Sequence, residues 1–106
     1  MTLREKQSLF VRCLTRLLLF VELRGWELTL GEGTREDGRG HMRGSLHYQR
    51  LAQDLNLFVD GEWISDGERD EWTQIGEHWE SLHPLCAWGG RFGDANHFSL
   101  KHGGRR

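Results

Sequence analysis

The sequence predicts a small α+β domain, in which a short antiparallel sheet is packed by two helices. Two segments carry apolar residues at helical spacing, and shorter segments between them carry apolar residues in alternation. The chain has 106 residues, the length of one domain with a compact core. We expect one domain over residues 1–106, with an N-terminal helix in 1–24, a core in 25–98, and a last strand and basic tail in 99–106.

The first predicted helix covers Glu5–Leu23 and is amphipathic. Its apolar stripe recurs every three or four positions and consists of Leu9, Phe10, Leu14, Leu17, Leu18 and Val21. We expect Gly25 to end this helix. The apolar run Leu17–Val21 is too short to span a membrane, and no small-residue cleavage site follows it. We therefore expect neither stable membrane insertion nor a signal peptide.

The predicted strands are short and lie between the helices and near the end of the chain. Alternation predicts strands over Trp26–Leu30 and Leu51–Val59, and Gly61–Ser65 fits a turn or a hairpin strand. Asp94–Phe98 fits a turn that leads into the last strand. The segment Gly31–Gly44 shows no periodicity and is rich in glycine and charge, which predicts a loop of the length that is often functional.

A second helix is predicted near residues 68–82. Its apolar residues follow at spacings of 3, 4 and 3, and they are Trp72, Ile75, Trp79 and Leu82. Pro84 would stop it. We expect these two tryptophans, together with Trp63 and Trp88, to lie in the core because large aromatic rings anchor small cores.

Charge and cysteine content exclude some classes of function. The formal net charge is only −2, so no global feature points to nucleic acid as a partner. Cys13 and Cys86 match no metal-binding or redox spacing, and we expect buried free thiols.

Three segments carry side chains that can perform chemistry. They are 45–47, the strand around Asp54, and 94–98. Imidazole nitrogen and carboxylate oxygen suit Zn²⁺, and three protein ligands with one water make a catalytic site. His47 and Asp54 are seven apart and would face opposite sides of a straight strand, so they share a metal only if the chain bends at 48–50. Asp94 and His97 are close enough in their turn to face one site.

These segments resemble a known family of peptidases. Residues 45–54, S-L-H-Y-Q-R-L-A-Q-D, resemble the S-x-H-x-x-G-x-A-x-D motif of the D-Ala-D-Ala carboxypeptidase and dipeptidase superfamily of zinc peptidases. The later W-x-x-I-G-x-x-W (72–79), W-G-G (88–90) and D-A-N-H-F (94–98) are similar, in the same order, to the phage L-alanyl-D-glutamate endopeptidase (endolysin) branch. The resemblance covers about residues 25–98, which would form the catalytic core.

The resemblance implies a role for each matched residue. His47, Asp54 and His97 would bind one zinc ion per chain, and Asp94 would be the general base. Ser45 matches a serine that lies next to the metal ligands without binding the metal itself. Arg35 matches the catalytic arginine that faces the substrate carbonyl or carboxylate.

Three positions depart from the family pattern. Arg50 stands where glycine is preferred, Asn96 where proline is usual, and Ser99 where glutamate is common. None of the three removes a metal ligand. The departures at Arg50 and Asn96 leave open a catalytically weak module of the same fold that binds cell wall.

The resemblance implies a hydrolase that cuts peptidoglycan stem peptides, at the L-Ala–D-Glu bond, as a phage or prophage endolysin in host lysis. A D,D-carboxypeptidase or dipeptidase is the neighbouring alternative. We expect a monomer whose partner is the stem peptide. It would wait in the cytoplasm of the host cell until it is released to the cell wall.

Overall fold

The structure is a computed structural model that describes residues 1–31, 46–47 and 49–106. Two helices pack against one antiparallel sheet, so the predicted α+β class is confirmed. The elements in chain order are α1 (Leu3–Leu23), β1 (Glu27–Leu30), β2 (Ala52–Val59), β3 (Glu62–Trp63), α2 (Asp70–Leu82), β4 (Cys86–Trp88), a 3₁₀ turn (Gly89–Phe92) and β5 (His97–Leu100).

Helix α1 begins at a complete capping box. The Thr2 hydroxyl accepts a hydrogen bond from the Glu5 amide at 3.1 Å, and the Glu5 carboxylate accepts one from the Thr2 amide at 2.9 Å. Gly25 follows the helix with a φ of 77°, as the sequence predicts. No helix in the described part of the chain is long and apolar enough to cross a membrane.

Strand β2 is the centre of the sheet, whose order is β1-β2-β5-β4, with β3 paired to the end of β2. All pairings are antiparallel. Leu55 and Leu57 are fully buried on the face of β2 that meets the helices, while Asp54 and Asn56 alternate to the opposite face. This alternation separates the core from the polar side of the sheet.

Three tryptophans form the core as expected, and each indole N–H has a hydrogen-bond partner. Trp79 donates to the carbonyls of Ala87 and Ser99, both at 3.1 Å. Trp72 and Trp88 donate to the carbonyls of residues 64 and 95 at 3.0 and 2.7 Å. These bonds remove the cost of burying a polar N–H.

The prediction for Trp63 was wrong. Trp63 is 61% exposed, and Glu62, the other residue of the short strand β3, is exposed as well. Trp63 pairs with Phe58 across the hairpin, so its backbone is fixed although its ring is open to solvent.

Cys13 and Cys86 are free and buried, as predicted. They lie in the same hydrophobic core, one on α1 and one on β4. Burial raises the pKa of the Cys86 thiol, and the neighbouring Cys13 thiol raises it further. Both features make this thiol a poor nucleophile.

Gly76 determines how closely α2 can approach the sheet. A Cβ at this position would lie 2.0 Å from the Trp88 ring, so Gly76→Ala must displace a buried indole. We expect the variant to lose about 1–3 kcal/mol of unfolding free energy, although alanine is normally favoured in helices. Chemical denaturation followed by circular dichroism measures this loss.

The matched control is Glu77→Ala, at the next and exposed position of the same helix. It should change the unfolding free energy by less than about 0.5 kcal/mol. Equal effects in the two variants would contradict the close-approach explanation.

Candidate metal centre

Three predicted ligands, His47, Asp54 and His97, meet on the polar side of the sheet. Asp54 in β2 lies directly opposite His97 in β5 in the antiparallel register. Side chains of directly opposed residues project from the same face, so the sheet itself brings these two together. His47 approaches from the turn that precedes β2.

The predicted bend between His47 and Asp54 is present, and Arg50 makes it. Arg50 has a φ of 57°, in the left-handed region that glycine adopts most easily. Its amide donates to the His47 carbonyl at 3.1 Å, and the Leu51 amide donates to the Leu46 carbonyl at 2.9 Å. The Gln7 side chain on α1 also donates to the carbonyl of residue 49 at 2.8 Å, which anchors the turn to the helix.

The three side chains form a nearly equilateral triangle of possible ligand atoms. His47 Nε2 lies 3.3 Å from Asp54 Oδ1 and 3.2 Å from His97 Nδ1, and the last two atoms are 3.4 Å apart. The two histidines are only 9% and 7% exposed. The group can hold a metal ion.

Electrostatics favour a cation inside this triangle. Burial raises the pKa of Asp54, but the imidazoles of His47 and His97 outweigh burial and hold the pKa well below its usual range. The carboxylate is therefore ionised at neutral pH. Asp54 Oδ1 and His97 Nε2 are buried and have no hydrogen-bond partner among the described residues. This buried anionic oxygen has only the two imidazole nitrogens near it, at 3.3 and 3.4 Å, and a metal ion would satisfy it more fully.

Two glycines allow the backbone to pack closely around the ligands. A Cβ on Gly89 would lie 2.1 Å from the Asp94 carbonyl oxygen and 2.7 Å from His97 Cβ. A Cβ on Gly31 would lie 3.0 Å from the Asp54 backbone, and the Gly31 amide donates to the Asp54 carbonyl at 2.8 Å. Gly89 belongs to the W-G-G motif, whereas the role of Gly31 has no signal in the sequence beyond its place directly after strand β1.

Asp94 lies beside the triangle and is not one of its members. Its amide donates to the Gly89 carbonyl at 2.8 Å, and its own carbonyl accepts from the His97 amide at 3.1 Å. The residue is exposed. These bonds fix the backbone between the predicted base and the third ligand.

The remaining candidate residues from the sequence are Arg35, Ser45 and Ser99. Arg35 and Ser45 lie outside the described residues. Ser99 is fully buried, and its Oγ has no hydrogen-bond partner among the described residues. It lies in β5 two residues beyond His97, at the position where glutamate is common in the motif.

Comparison with protein-family models and with curated proteins finds no match to this chain. The family assignment therefore stays a prediction from the motifs, and the geometry of the three side chains stands independently of it.

Metal binding should stabilise the folded protein against unfolding. At a free concentration of Zn²⁺ or Co²⁺ near 100 times the dissociation constant, we expect a gain of about 2.7 kcal/mol in unfolding free energy. Asp54→Asn should abolish most of this gain, because it replaces the anionic ligand by a neutral amide. Thermal unfolding with and without metal measures both effects.

Asp60→Asn is the matched control, since it removes an exposed carboxylate just beyond β2, and asparagine tolerates the φ of 51° at that position. A metal-dependent gain that survives in Asp54→Asn but disappears in Asp60→Asn would place the metal elsewhere.

The left-handed conformation at Arg50 predicts an unusual response to glycine. Arg50→Gly should raise the unfolding free energy by about 0.5–1 kcal/mol relative to Arg50→Ala, because glycine removes the Cβ strain at some cost in chain entropy. The alanine variant controls for loss of the exposed arginine side chain. If alanine were the more stable of the two, the bend would not depend on this conformation.

Proposed function

We propose that this protein is a zinc metallopeptidase that hydrolyses peptidoglycan stem peptides. The observation that carries the proposal is the buried triangle of His47 Nε2, Asp54 Oδ1 and His97 Nδ1, with edges of 3.2–3.4 Å. Two further considerations support it, namely the compatibility of zinc with this triangle and the backbone hydrogen bond that joins Asp94 to the third ligand, His97.

The dimensions of the triangle are compatible with zinc, which supports the proposal. Zinc binds nitrogen and carboxylate oxygen at about 2.0–2.2 Å in tetrahedral geometry, which separates neighbouring ligand atoms by about 3.3 Å. The three separations in the structure are close to this value. Two imidazoles and one carboxylate also form a three-ligand set of the kind found in catalytic zinc sites, which leaves one position for water or substrate.

The residues of the chain would divide the chemistry between binding and proton transfer. A zinc ion held by the triangle would supply Lewis-acid activation of the water and the scissile carbonyl. The Asp94 carboxylate would accept a proton from the attacking water and then donate it to the leaving amine. Its exposure lets it meet substrate, and the hydrogen bond between its carbonyl and the His97 amide ties its position to the site.

The substrate class rests on the resemblance to the L-alanyl-D-glutamate endopeptidases. On that basis the bond cut is L-Ala–D-Glu, in the role of a phage or prophage endolysin. Arg35 would face the substrate carbonyl and Ser45 would support the ligands. The left-handed bend at Arg50 supports activity, because the chain reaches the expected bend without the glycine of the motif.

The assigned base can be separated from the ligands by substitution. Asp94→Asn should lower kcat by about 10²–10⁴-fold and keep zinc bound, because the carboxylate moves a proton and does not bind the metal. His97→Ala should lose both zinc and activity. Metal analysis and cleavage of purified peptidoglycan by each variant measure the two properties.

Asp60→Asn is again the control and should keep normal activity. Near-normal cleavage by Asp94→Asn would show that Asp94 is not the base.

Mass analysis of the fragments identifies the bond. A new N-terminal D-Glu is expected after incubation of the zinc-loaded protein with peptidoglycan. Released D-Ala would instead identify a D,D-carboxypeptidase or dipeptidase. Bound zinc without cleavage of any stem peptide would identify a wall-binding module of the same fold.

A further inference from the structure

An open cavity of about 250 Å³ adjoins Asp94 on the side of the β2–β3 hairpin. One wall is the turn that contains Asp94 and Asn96, and the opposite wall is the segment that contains Trp63 and Ser65. Asn56, on β2, also lines it. His47, Asp54 and His97 do not line this cavity. It is therefore a second site, next to the proposed base Asp94.

The walls of the cavity are held by backbone contacts and do not depend on a ligand. The Ile64 amide donates to the Leu57 carbonyl at 2.8 Å, and the Ile64 carbonyl accepts from the buried Trp72 indole at 3.0 Å. The Leu55 amide donates to the Asn96 carbonyl at 3.0 Å. A Cβ on Gly67 would lie 2.9 Å from Ala95 Cβ, so the two walls meet where only glycine fits. The cavity is therefore preformed, as small-molecule sites usually are.

The chemistry of the lining is neutral and polar, with one exposed aromatic ring. Trp63 is 61% exposed although its backbone is paired in the hairpin. Asn56 and Asn96 supply amides, Ser65 supplies a hydroxyl, and the Asn56 amide is oriented by a 3.2 Å hydrogen bond from Nδ2 to Thr29 Oγ1. Asp94 is the single ionisable group among the described lining residues.

This combination favours one class of ligand. The face of an indole carries negative charge density and attracts the weakly positive C–H groups on one face of a sugar ring. Amide and hydroxyl side chains match the hydroxyl and acetamido groups of the same ring. A purely apolar ligand would leave the amides without partners.

We propose that this cavity binds an N-acetylated sugar and serves as the glycan subsite of the enzyme, where it holds the muramyl unit of the substrate. This inference rests on the proposed function. In peptidoglycan the L-Ala residue is joined directly to the lactyl group of the muramyl unit. A sugar bound beside Asp94 therefore lies within one residue of the bond that Asp94 would help to cut.

The first test measures binding without catalysis. Muramyl-L-alanine amide is titrated into the zinc-loaded protein while NMR follows the Trp63 indole N–H and the side-chain amides of Asn56 and Asn96. We expect saturable shifts at these groups, which Trp63→Ala removes and Trp63→Phe partly retains. Glu62→Ala, at the exposed neighbour in β3, is the matched control and should bind normally. Absence of shifts in the wild-type protein overturns the glycan subsite, and equal binding of N-acetylglucosamine oligomers overturns its assignment to the muramyl unit.

The second test measures the use of that binding in turnover. The readout is kcat/KM for a muramyl stem peptide divided by kcat/KM for the same peptide without the sugar. We expect Trp63→Ala to lower this ratio about tenfold, a typical consequence of losing one stacked aromatic contact, and Glu62→Ala to leave the ratio unchanged. An unchanged ratio overturns the subsite while the peptidase stands. Failure of the wild-type protein to cut either peptide overturns the proposed function, and the NMR result then decides sugar binding alone.

Discussion

The antiparallel pairing of β2 with β5 determines most of the geometry of the candidate metal site. It places Asp54 directly opposite His97, so an anionic oxygen and an imidazole nitrogen lie 3.4 Å apart without help from a loop. The opposite faces of the same two strands carry Leu55 and Phe98, which are fully buried against the helices. Loss of the register would therefore disrupt the core and the polar cluster together, because a shift of one residue exchanges the two faces.

The helices position the three possible metal ligands indirectly, through the turns that carry them. Helix α1 reaches the turn after His47 through the Gln7 side chain, and α2 holds the β4 end of the sheet through Trp79. Gly76 and Gly89 then let the layers approach until the Trp88 ring and the Asp94 turn are in contact with backbone. The turns that carry the ligands are thus anchored to both helices by hydrogen bonds and by close packing at two glycines.

The sequence predicts those elements of the fold in which apolar residues recur at a regular spacing. Helical spacing located α1 and α2, and alternation located β1 and β2, because burial on one face imposes those periods. Strand β4 was missed, since three consecutive buried residues have no alternation to detect. The exposure of Trp63 was missed because an aromatic residue alone does not indicate whether its strand has a partner on the other side. The convergence of His47 with Asp54 followed only from a motif and a required bend, and the roles of Arg35 and Ser45 lie beyond the described residues.

The left-handed residue before β2 has a consequence for how sequence motifs are written. A glycine in a motif can mark a position where the backbone angle φ is positive, and Arg50 has a φ of 57° while carrying a full side chain. The cost of such a replacement is about 1–2 kcal/mol, which the rest of a fold can absorb. A motif that requires glycine at this position would reject such a chain. A motif that allows any residue able to adopt a positive φ would retain it. Chains that differ from a motif at such a position can then still make the same bend in the backbone.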